Sequence, residues 1–308
     1  MRDRLTYALY AVGWALVRRL PERVARRLFD LVADLAWRTR RGGVTQLEAN
    51  LRRARPDAGA RELRALSRAG MRSYLRYWCE AFRLPDWPRE RVVATVRVEN
   101  EHYLRDALGA GRGVVAALMH MGNWDHAGAW ASLTGAPVVT VAERLRPERL
   151  YARFLAYREG LGMEILPLTG TPDLLDVLSR RLRDGRLVPL LADRDLRSTG
   201  VPVHLLGEST RMPPGPAMLA LRTGAALHPV SIWYERGTSS SDRLVIRFHD
   251  EVEPPGSGRT REKVEVMTQR VADVFGSAIA AHPEDWHMLQ PLWLADLDVR
   301  ARRRLEQR

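Results

Sequence analysis

Cysteine is nearly missing from this chain of 308 residues, which contains only Cys79. A single cysteine excludes an intrachain disulfide, and it excludes a structural zinc site built from several cysteines. Cys79 follows Trp78 in an apolar stretch with helical spacing. We therefore expect a small buried side chain at this position and not a nucleophile.

Lysine and asparagine are also scarce. Lys263 is the only lysine among 49 basic residues, and asparagine occurs only at positions 50, 100 and 123. This avoidance is typical of GC-rich coding, so part of the arginine content reflects genome composition. The same scarcity gives weight to Asn123, which lies inside the motif described below.

Long apolar runs are absent from the N-terminal region. The uncharged stretch over residues 5–17 has 13 residues, whereas a membrane-spanning helix needs about 20. No small-residue cleavage site follows it, so a signal peptide is not expected. The region is instead predicted to lie on a surface.

Positive charge is concentrated near the N terminus. Residues 1–56 hold 13 arginines against 5 acidic residues, a net charge of +8 out of the total of +12. Apolar side chains recur there at helical spacing, at Leu5, Leu9, Val12 and Leu16. This pattern predicts basic amphipathic helices on an anionic membrane surface, with packing against the protein core as the alternative. Replacing Arg18 and Arg19 by glutamate should then weaken vesicle binding.

No motif typical of nucleic-acid binding is present, so a nucleic-acid partner is not expected.

The order of the predicted elements is helical first and mixed afterwards. Helices are predicted over residues 3–18, 21–39, 44–54, 59–83, 101–110, 126–133, 147–160, 171–184, 213–223 and 260–281. Strands are predicted over residues 92–98, 113–119, 137–142, 163–167, 187–192, 201–205, 227–234 and 243–252. Strands that alternate with helices of ten or more residues indicate an α/β sheet covered by helices.

A histidine and an aspartate lie where open α/β sheets bind ligands. His120 follows the apolar strand 113–119, and Asp125 lies five residues later at the start of a helix. If Asp125 accepts a hydrogen bond from Nδ1 of His120, Nε2 remains free to act as a general base. Such a base suits activation of an acceptor hydroxyl. The amides near Gly122 and Asn123 are candidates for stabilising an oxyanion.

Charged residues also follow a second predicted strand. Asp193, Arg194 and Asp195 come directly after the strand that ends near residue 192. Strand ends of one sheet lie along one edge, so these groups are expected beside His120. The Asp-x-Asp spacing is also compatible with a divalent metal, as in glycosyltransferases, or with a simple turn.

Four further polar residues are candidates for binding. Glu143 and Arg158 could bind sugar hydroxyls or phosphates at the rim of a pocket, or simply be exposed. His282 and His287 lie five residues apart beside Trp286, but no third ligand is evident, and a metal site is not expected there.

The motif His-Met-Gly-Asn-Trp-Asp at residues 120–125 resembles the signature of the bacterial late lipid A (lauroyl/myristoyl) acyltransferases. Their broader relatives are the His-x4-Asp glycerolipid acyltransferases. Later motifs follow in a similar order, at 157–163, 193–195, 207–213 and 228–230. The resemblance covers nearly the whole chain. It implies one acyltransferase domain over residues 1–308 with a single mixed central β-sheet, in which residues 1–85 associate with the membrane and 90–295 form the catalytic core.

Within this family, residues 192–196 and 211–217 resemble the actinobacterial branch, which acylates mannosylated phosphatidylinositol. The lipid A branch usually has glutamine between the two aspartates, where this chain has Arg194. This departure argues against a lipid A substrate. The resemblance implies acyl-CoA as the donor, no cofactor and no metal. It implies the 6-hydroxyl of a mannose on phosphatidyl-myo-inositol mannoside as the acceptor, at the cytoplasmic face of the plasma membrane.

The resemblance also implies roles for individual residues. His120 would be the general base and Asp125 its partner. The residues expected to contact substrate or to position His120 are Asn123, Glu143, Arg158, Asp193 and Arg194. An acyl groove would be lined by residues such as Trp124, Trp130 and Leu133. The alternatives are a lipid A-type or other glycolipid or lysophospholipid O-acyltransferase, a glycosyltransferase that uses a metal at Asp193-x-Asp195, and a membrane-binding protein without catalysis.

Overall fold

The computed structural model describes residues 13–41, 43–142, 148–168, 173–195, 199–235 and 242–297. Its α-helices are α1 (13–19), α2 (Glu22–Arg38), α3 (Val44–Ala54), α4 (Ala60–Arg83), α5 (Arg89–Ala94), α6 (Glu101–Gly109), α7 (Trp124–Leu133), α8 (Glu148–Gly160), α9 (Leu174–Arg183), α10 (Gly215–Thr223) and α11 (Thr260–Ala281). Its strands are β1 (Val96–Glu99), β2 (Val114–Leu118), β3 (Val139–Ala142), β4 (Glu164–Pro167), β5 (Leu187–Leu191), β6 (Val201–Leu205), β7 (Glu208–Met212), β8 (Ala226–Glu235) and β9 (Arg243–Phe248).

The central sheet has five strands in the order β1-β9-β8-β2-β5. Strand β2 runs parallel to both β5 and β8, while β8 and β9 are antiparallel. The predicted α/β fold with a mixed central sheet is therefore confirmed. In the β2–β5 register Leu118 pairs with Leu191. This register places the residues that follow the two strands side by side at one edge.

Strand β2 is buried on both faces, which explains its uninterrupted apolar sequence. Val115 and Ala117 pack into the core beneath α10 and α11. Val114, Ala116 and Leu118 pack into a second core on the opposite face, beneath α6 and α7. The alternation of side chains along a strand produces these two layers, and they hold the end of β2 rigidly.

Two small sheets lie beside the central one. Strands β3 and β4 are parallel, and Val138 bridges to Leu187 at the start of β5. Strands β6 and β7 form a hairpin over the turn Leu206-Gly207, where φ is +52° and +81°. Strand β7 is absent from the sequence prediction, although a two-residue turn ending in glycine is a signal for such a hairpin.

The predicted strand over residues 92–98 is only partly correct. Its first half is helical, in α5, and β1 begins at Val96. Pro88 caps α5, and the Val92 carbonyl accepts a hydrogen bond from Nε2 of the buried His126 at 2.9 Å. This contact with α7 overrides the strand propensity of two consecutive valines.

The described part of the N-terminal region packs on the core. Trp14 in α1 is 3% exposed, and its Nε1 donates to the Phe82 carbonyl at 2.9 Å. Arg18 is paired with Asp86, with Nε donating to Oδ2 at 2.6 Å. The positive charge of Arg18 is therefore paired with a carboxylate on the protein itself. The remainder of the predicted first helix, over residues 3–12, lies outside the described residues.

Among the described helices, none is both long enough and apolar enough to cross a membrane.

Candidate active site

His120 and Asp193 meet at the edge of the central sheet. Each lies two residues beyond a member of the Leu118–Leu191 pair, at the ends of β2 and β5. Nδ1 of His120 is 2.7 Å from Oδ1 of Asp193, and the His120 amide donates to Oδ2 at 2.9 Å. The sheet register thus builds a two-point contact between a histidine and a carboxylate.

Asp193 is fully buried and ionised. Burial raises the pKa of its carboxyl, but the contacts with His120 and Trp286 outweigh burial and hold that pKa below its ordinary value. Nε1 of Trp286 donates to Oδ2 at 3.1 Å. An ionised acceptor at Nδ1 requires that Nδ1 carry the proton. In the neutral ring Nε2 is then a bare lone pair, and it makes no hydrogen bond with any described residue.

The turn that carries His120 is held by the backbone around residues 285–287. The Gly122 amide donates to the Asp285 carbonyl at 2.9 Å, and the His287 amide donates to the His120 carbonyl at 2.7 Å. Gly122 has φ +60°, and a Cβ there would lie 2.6 Å from the Ile232 carbonyl oxygen. Only glycine fits this position. Because its amide is already bonded, Gly122 is not available for the predicted oxyanion site.

Asp125 is not the partner of His120 that its spacing suggests. Its Oδ1 accepts from Nε of Arg158 at 2.7 Å, and its Oδ2 accepts from the Tyr77 hydroxyl at 3.0 Å. Burial and then the charge of Asp125 raise the pKa of Tyr77 well above its ordinary value, so the hydroxyl stays a donor. The predicted hydrogen bond between His120 and Asp125 is therefore replaced by one to Asp193. In the first turn of α7, Asp125 lies against Arg158 of α8 and Tyr77 of α4.

Asn123 is a structural residue at the start of α7. Its Oδ1 accepts from the His126 amide at 3.0 Å, which caps the helix. Its Nδ2 donates to Oε2 of the buried Glu80 at 3.0 Å. Asn123 is fully buried and lines neither of the cavities described below. The predicted contact between Asn123 and substrate is thus corrected, because both ends of the amide are already bonded.

Substituting Asn123 tests this structural role. Asn123→Ala should lower the free energy of unfolding by about 2–4 kcal/mol, from the lost cap and the lost donor to Glu80. Asn123→Asp keeps the cap acceptor but sets a second carboxylate against Glu80, so it should cost more than alanine. Urea unfolding at pH 7.5 measures both changes. An aspartate variant more stable than the alanine variant would contradict the assigned orientation of the amide.

Two cavities meet at His120. The first, here called the apolar cavity, has a volume of about 460 Å³. Besides His120 its walls include Trp130, Met163, Leu178, Val230, Ile246 and Phe248. Trp124 and Trp130 line this cavity, in line with the predicted acyl groove, whereas Leu133 packs in the cluster around Trp14 and lines neither cavity. Its size is in the usual range for a small-molecule site.

The second cavity, here called the aromatic cavity, has a volume of about 310 Å³. Its walls include Tyr74, Tyr77, Trp78, Tyr151, Phe154 and His287. His120, Trp124, Arg158 and Arg194 line both cavities. The ring of Trp124 stands edge-on to that of His120, with centroids 5.7 Å apart. The first cavity is therefore lined mainly by apolar side chains, and the second combines aromatic rings with positive charge.

The remaining predicted residues fall into two groups. Arg158 and Arg194 reach the cavities, while Glu143 lies outside the described residues.

Asp193 and Asp195 do not form a free pair for a metal, because both oxygens of Asp193 are bonded and Oδ2 of Asp195 accepts from the Gly200 amide at 2.7 Å. Across the described ranges, no group of three His, Cys, Asp or Glu side chains is arranged to hold a metal.

Several residues of the site carry no signal in the sequence. Trp286 and Tyr77 contact Asp193 and Asp125 from positions 93 and 48 residues away. Neither lies in a recognisable motif, and only folding brings these donors to the carboxylates.

The family of the chain is shown by comparison with known proteins. The model of the bacterial lipid A biosynthesis acyltransferases matches residues 2–295. The chain belongs to this family and is an acyltransferase.

Two relatives of the chain share a more specific name than that of the family. A protein of Mycolicibacterium smegmatis named phosphatidylinositol mannoside acyltransferase is 47% identical over 299 residues, which cover 96% of this chain and 94% of that protein. A protein of the same name from Mycobacterium tuberculosis is 46% identical over 302 residues, covering 97% of this chain and 92% of that protein.

Proposed function

We propose that the protein transfers a fatty acyl group from acyl-CoA to the 6-hydroxyl of a mannose on phosphatidyl-myo-inositol mannoside. His120 is the general base, and Asp193 holds it in the reactive tautomer. The observation that carries the proposal is the position of Nε2 of His120, unbonded among the described residues, where an apolar and an aromatic cavity meet. The names of the two relatives support the acceptor.

The chemistry follows from these positions. A sugar hydroxyl is a weak nucleophile until its proton is removed as it attacks. Nε2 of His120 takes that proton while the hydroxyl oxygen bonds to the thioester carbonyl carbon. The tetrahedral intermediate then collapses, the carbon–sulfur bond breaks, and the imidazolium returns the proton to the sulfur of CoA. No covalent acyl-enzyme is formed.

The two cavities are proposed to divide the substrates. The apolar cavity takes the acyl chain, because its wall offers mainly carbon atoms. The aromatic cavity takes the sugar, whose hydroxyls need polar partners and whose ring faces pack on aromatic side chains. Arg158 and Arg194 supply positive charge for phosphate groups, and Arg158 is fixed by its bond to Asp125.

A mass-spectrometric transfer assay tests the proposed reaction. The wild-type protein is incubated with palmitoyl-CoA and mannosylated phosphatidylinositol, with and without EDTA. We expect one added acyl group, release of free CoA and no effect of EDTA. A 6-deoxymannose analogue should not be acylated. Acylation of that analogue would overturn the assigned hydroxyl. Equal transfer to an under-acylated lipid A precursor would favour the lipid A-type alternative.

A membrane-facing surface is proposed on α2, within residues 1–85, while residues 90–295 form the catalytic core together with α4, which contributes side chains to the aromatic cavity. Exposed apolar side chains form a stripe along this helix at Val24, Leu28, Leu31, Val32 and Leu35. Leu31 and Leu35 are 67% and 63% exposed. Exposed arginines that make no ion pair with any described residue lie on or near the helix, at Arg19, Arg23, Arg27 and Arg38. An apolar stripe beside positive charge suits the cytoplasmic face of an anionic membrane.

Polar substitution of the stripe should weaken vesicle binding. Burying an exposed leucine in lipid is worth about 1.5–3 kcal/mol. Leu31→Ser with Leu35→Ser should therefore reduce binding to anionic vesicles at least roughly tenfold, as measured by co-sedimentation. Arg23→Glu with Arg27→Glu should reduce binding most at low salt, where charges are least screened.

The control is Val266→Ser, because Val266 on α11 is an exposed apolar residue that lies outside the stripe. It should bind vesicles like the wild type. Unchanged binding of the leucine variant would rule out α2 as the membrane-facing surface.

A further inference from the structure

A hydrogen-bonded chain of three buried side chains ends at the wall of the aromatic cavity. Oγ of Ser73 is 2.5 Å from Oδ1 of Asp285 and 3.0 Å from Nε2 of His287. Ser73 lies on α4, and the other two residues lie on the segment that holds the His120 turn. His287 is one of the residues that line the aromatic cavity, as is His120.

The direction of this chain follows from counting protons. Oδ2 of Asp285 accepts from the Tyr234 amide at 2.8 Å, and burial raises the pKa of Asp285 to about 6, so the group is an anion and acceptor at pH 7.5. Ser73 has one hydroxyl proton, and with it donates a hydrogen bond to Oδ1 of Asp285. The oxygen of Ser73 can then only accept from His287, so Nε2 of His287 carries the ring proton.

The second nitrogen of His287 is left as an unpaired acceptor. Burial lowers the pKa of His287 to about 3, so the ring is neutral and has one proton. Nδ1 is therefore bare. It is buried, and it has no hydrogen-bond partner in the part of the chain that the structure describes. A buried acceptor without a donor costs free energy, and a hydroxyl from a ligand would remove that cost.

We infer that Nδ1 of His287 accepts a hydrogen bond from a non-reacting hydroxyl of the acceptor sugar, so that His287 selects polyhydroxylated acceptors. The inference rests on the proposed function and adds a specificity-determining residue to it. Asp285 and Ser73 are positioning residues, because they act by fixing the tautomer of His287. His120 and His287 would then hold two different hydroxyls of one sugar, the first reacting and the second only bound.

Two amide variants separate the two ring nitrogens. His287→Gln can keep a donor near Nε2 for Ser73, but it has no acceptor near Nδ1. His287→Asn can put its amide oxygen near Nδ1, but it loses the bond to Ser73. We expect the glutamine variant to raise the KM for the acceptor about tenfold or more, and the asparagine variant to recover most of that loss. The loss should fall on the acceptor KM more than on kcat.

The matched control is His282→Gln. His282 stacks on Trp233 and lines neither cavity, so the acceptor KM should stay at the wild-type value.

A further variant should reverse the direction of the hydrogen bonds that link Asp285, Ser73 and His287. Asp285→Asn can donate from its amide to Ser73, which then gives its proton to Nε2 of His287, so Nδ1 becomes the protonated nitrogen. Nitrogen-15 NMR of the histidine rings reads this tautomer directly. We expect Nε2–H in the wild type, Nδ1–H in Asp285→Asn, and an acceptor KM raised as in His287→Gln.

A titration without catalysis completes the test. The probe is the deacylated, water-soluble headgroup of mannosylated phosphatidylinositol, and the readout is the Nδ1 resonance of His287. Movement of that resonance on titration supports the inference. An unmoved resonance, a wild-type Nδ1–H tautomer, or an unchanged acceptor KM in His287→Gln overturns it. If the wild type transfers no acyl group to any acceptor, the proposed function fails, and the titration alone decides whether His287 binds the sugar.

Discussion

Replacing His120 by alanine should lower kcat for acyl transfer by about 10²–10⁴-fold, the usual contribution of a general base. The reason is the position of His120, whose Nε2 is the proposed base and which lines both cavities. The substitution leaves the acceptor hydroxyl without a group to take its proton. The measurement is the initial rate of mass-labelled product at saturating palmitoyl-CoA and acceptor.

Folding must be separated from catalysis in this experiment. The His120 side chain is 28% exposed, but its loss removes one of three donors to the buried Asp193. A modest drop in melting temperature is therefore expected, and the variant should remain folded at the assay temperature. His120→Gln keeps the size of the side chain and should be as inactive as alanine. Added imidazole should restore part of the rate in His120→Ala. A folded alanine variant that transfers acyl groups within about threefold of the wild-type rate would refute the role of His120 as a base.

Asp193→Asn should reduce kcat by a similar factor, about 10²–10⁴-fold, although it changes a single atom. The two oxygens of Asp193 accept from three donors, namely Nδ1 and the amide of His120 and Nε1 of Trp286. An asparagine has one acceptor oxygen, so its NH₂ group must face one of these donors. The repulsion between this NH₂ group and the Nδ1–H group of His120 is relieved if the proton of His120 moves to Nε2. That shift would remove the proposed base. Nitrogen-15 NMR should show that tautomer in the variant.

Asp125→Asn is the matched comparison, because Asp125 bonds to Arg158 and Tyr77 and not to His120. Burial lowers the pKa of Arg158, but the charge of Asp125 outweighs burial and leaves that pKa above its ordinary value. Removing the carboxylate charge leaves a buried guanidinium unpaired, so the free energy of unfolding should fall by about 3–5 kcal/mol. The tautomer of His120 should not change. An equal tautomer shift in Asp125→Asn would return the partner role to Asp125.

Most of the fold could be predicted from the sequence, because apolar periodicity is a local property. The helix over 260–281 and the strand over 201–205 have the predicted bounds. The prediction was wrong where a distant contact decides the local conformation, as at Val92, whose carbonyl bonds to the side chain of His126. Strand β7 was missed because its Glu-Ser-Thr-Arg-Met sequence is mostly polar, and pairing with β6 stabilises it.

The sequence predicted which residues lie in the candidate site better than it predicted which of them contact each other. The ends of two strands pointed to His120 and Asp193, and both lie there. Spacing along the chain pointed to Asp125 as the partner of His120, because five residues are a short separation. The structure chose Asp193, which is 73 residues away.

By itself, the sequence determined the α/β class, the sheet edge that carries the site, and a histidine at the end of a buried strand. These follow from periodicity and from residue order, which every segment carries locally. The tertiary structure alone decided which carboxylate faces His120, which nitrogen of His287 has no partner among the described residues, and which helix exposes an apolar stripe. These depend on strand register and on helix packing, which bring together side chains that no local pattern links. The parallel register of β2 and β5 sets Asp193 beside His120, while Arg158 and Tyr77 donate hydrogen bonds to the carboxylate of Asp125.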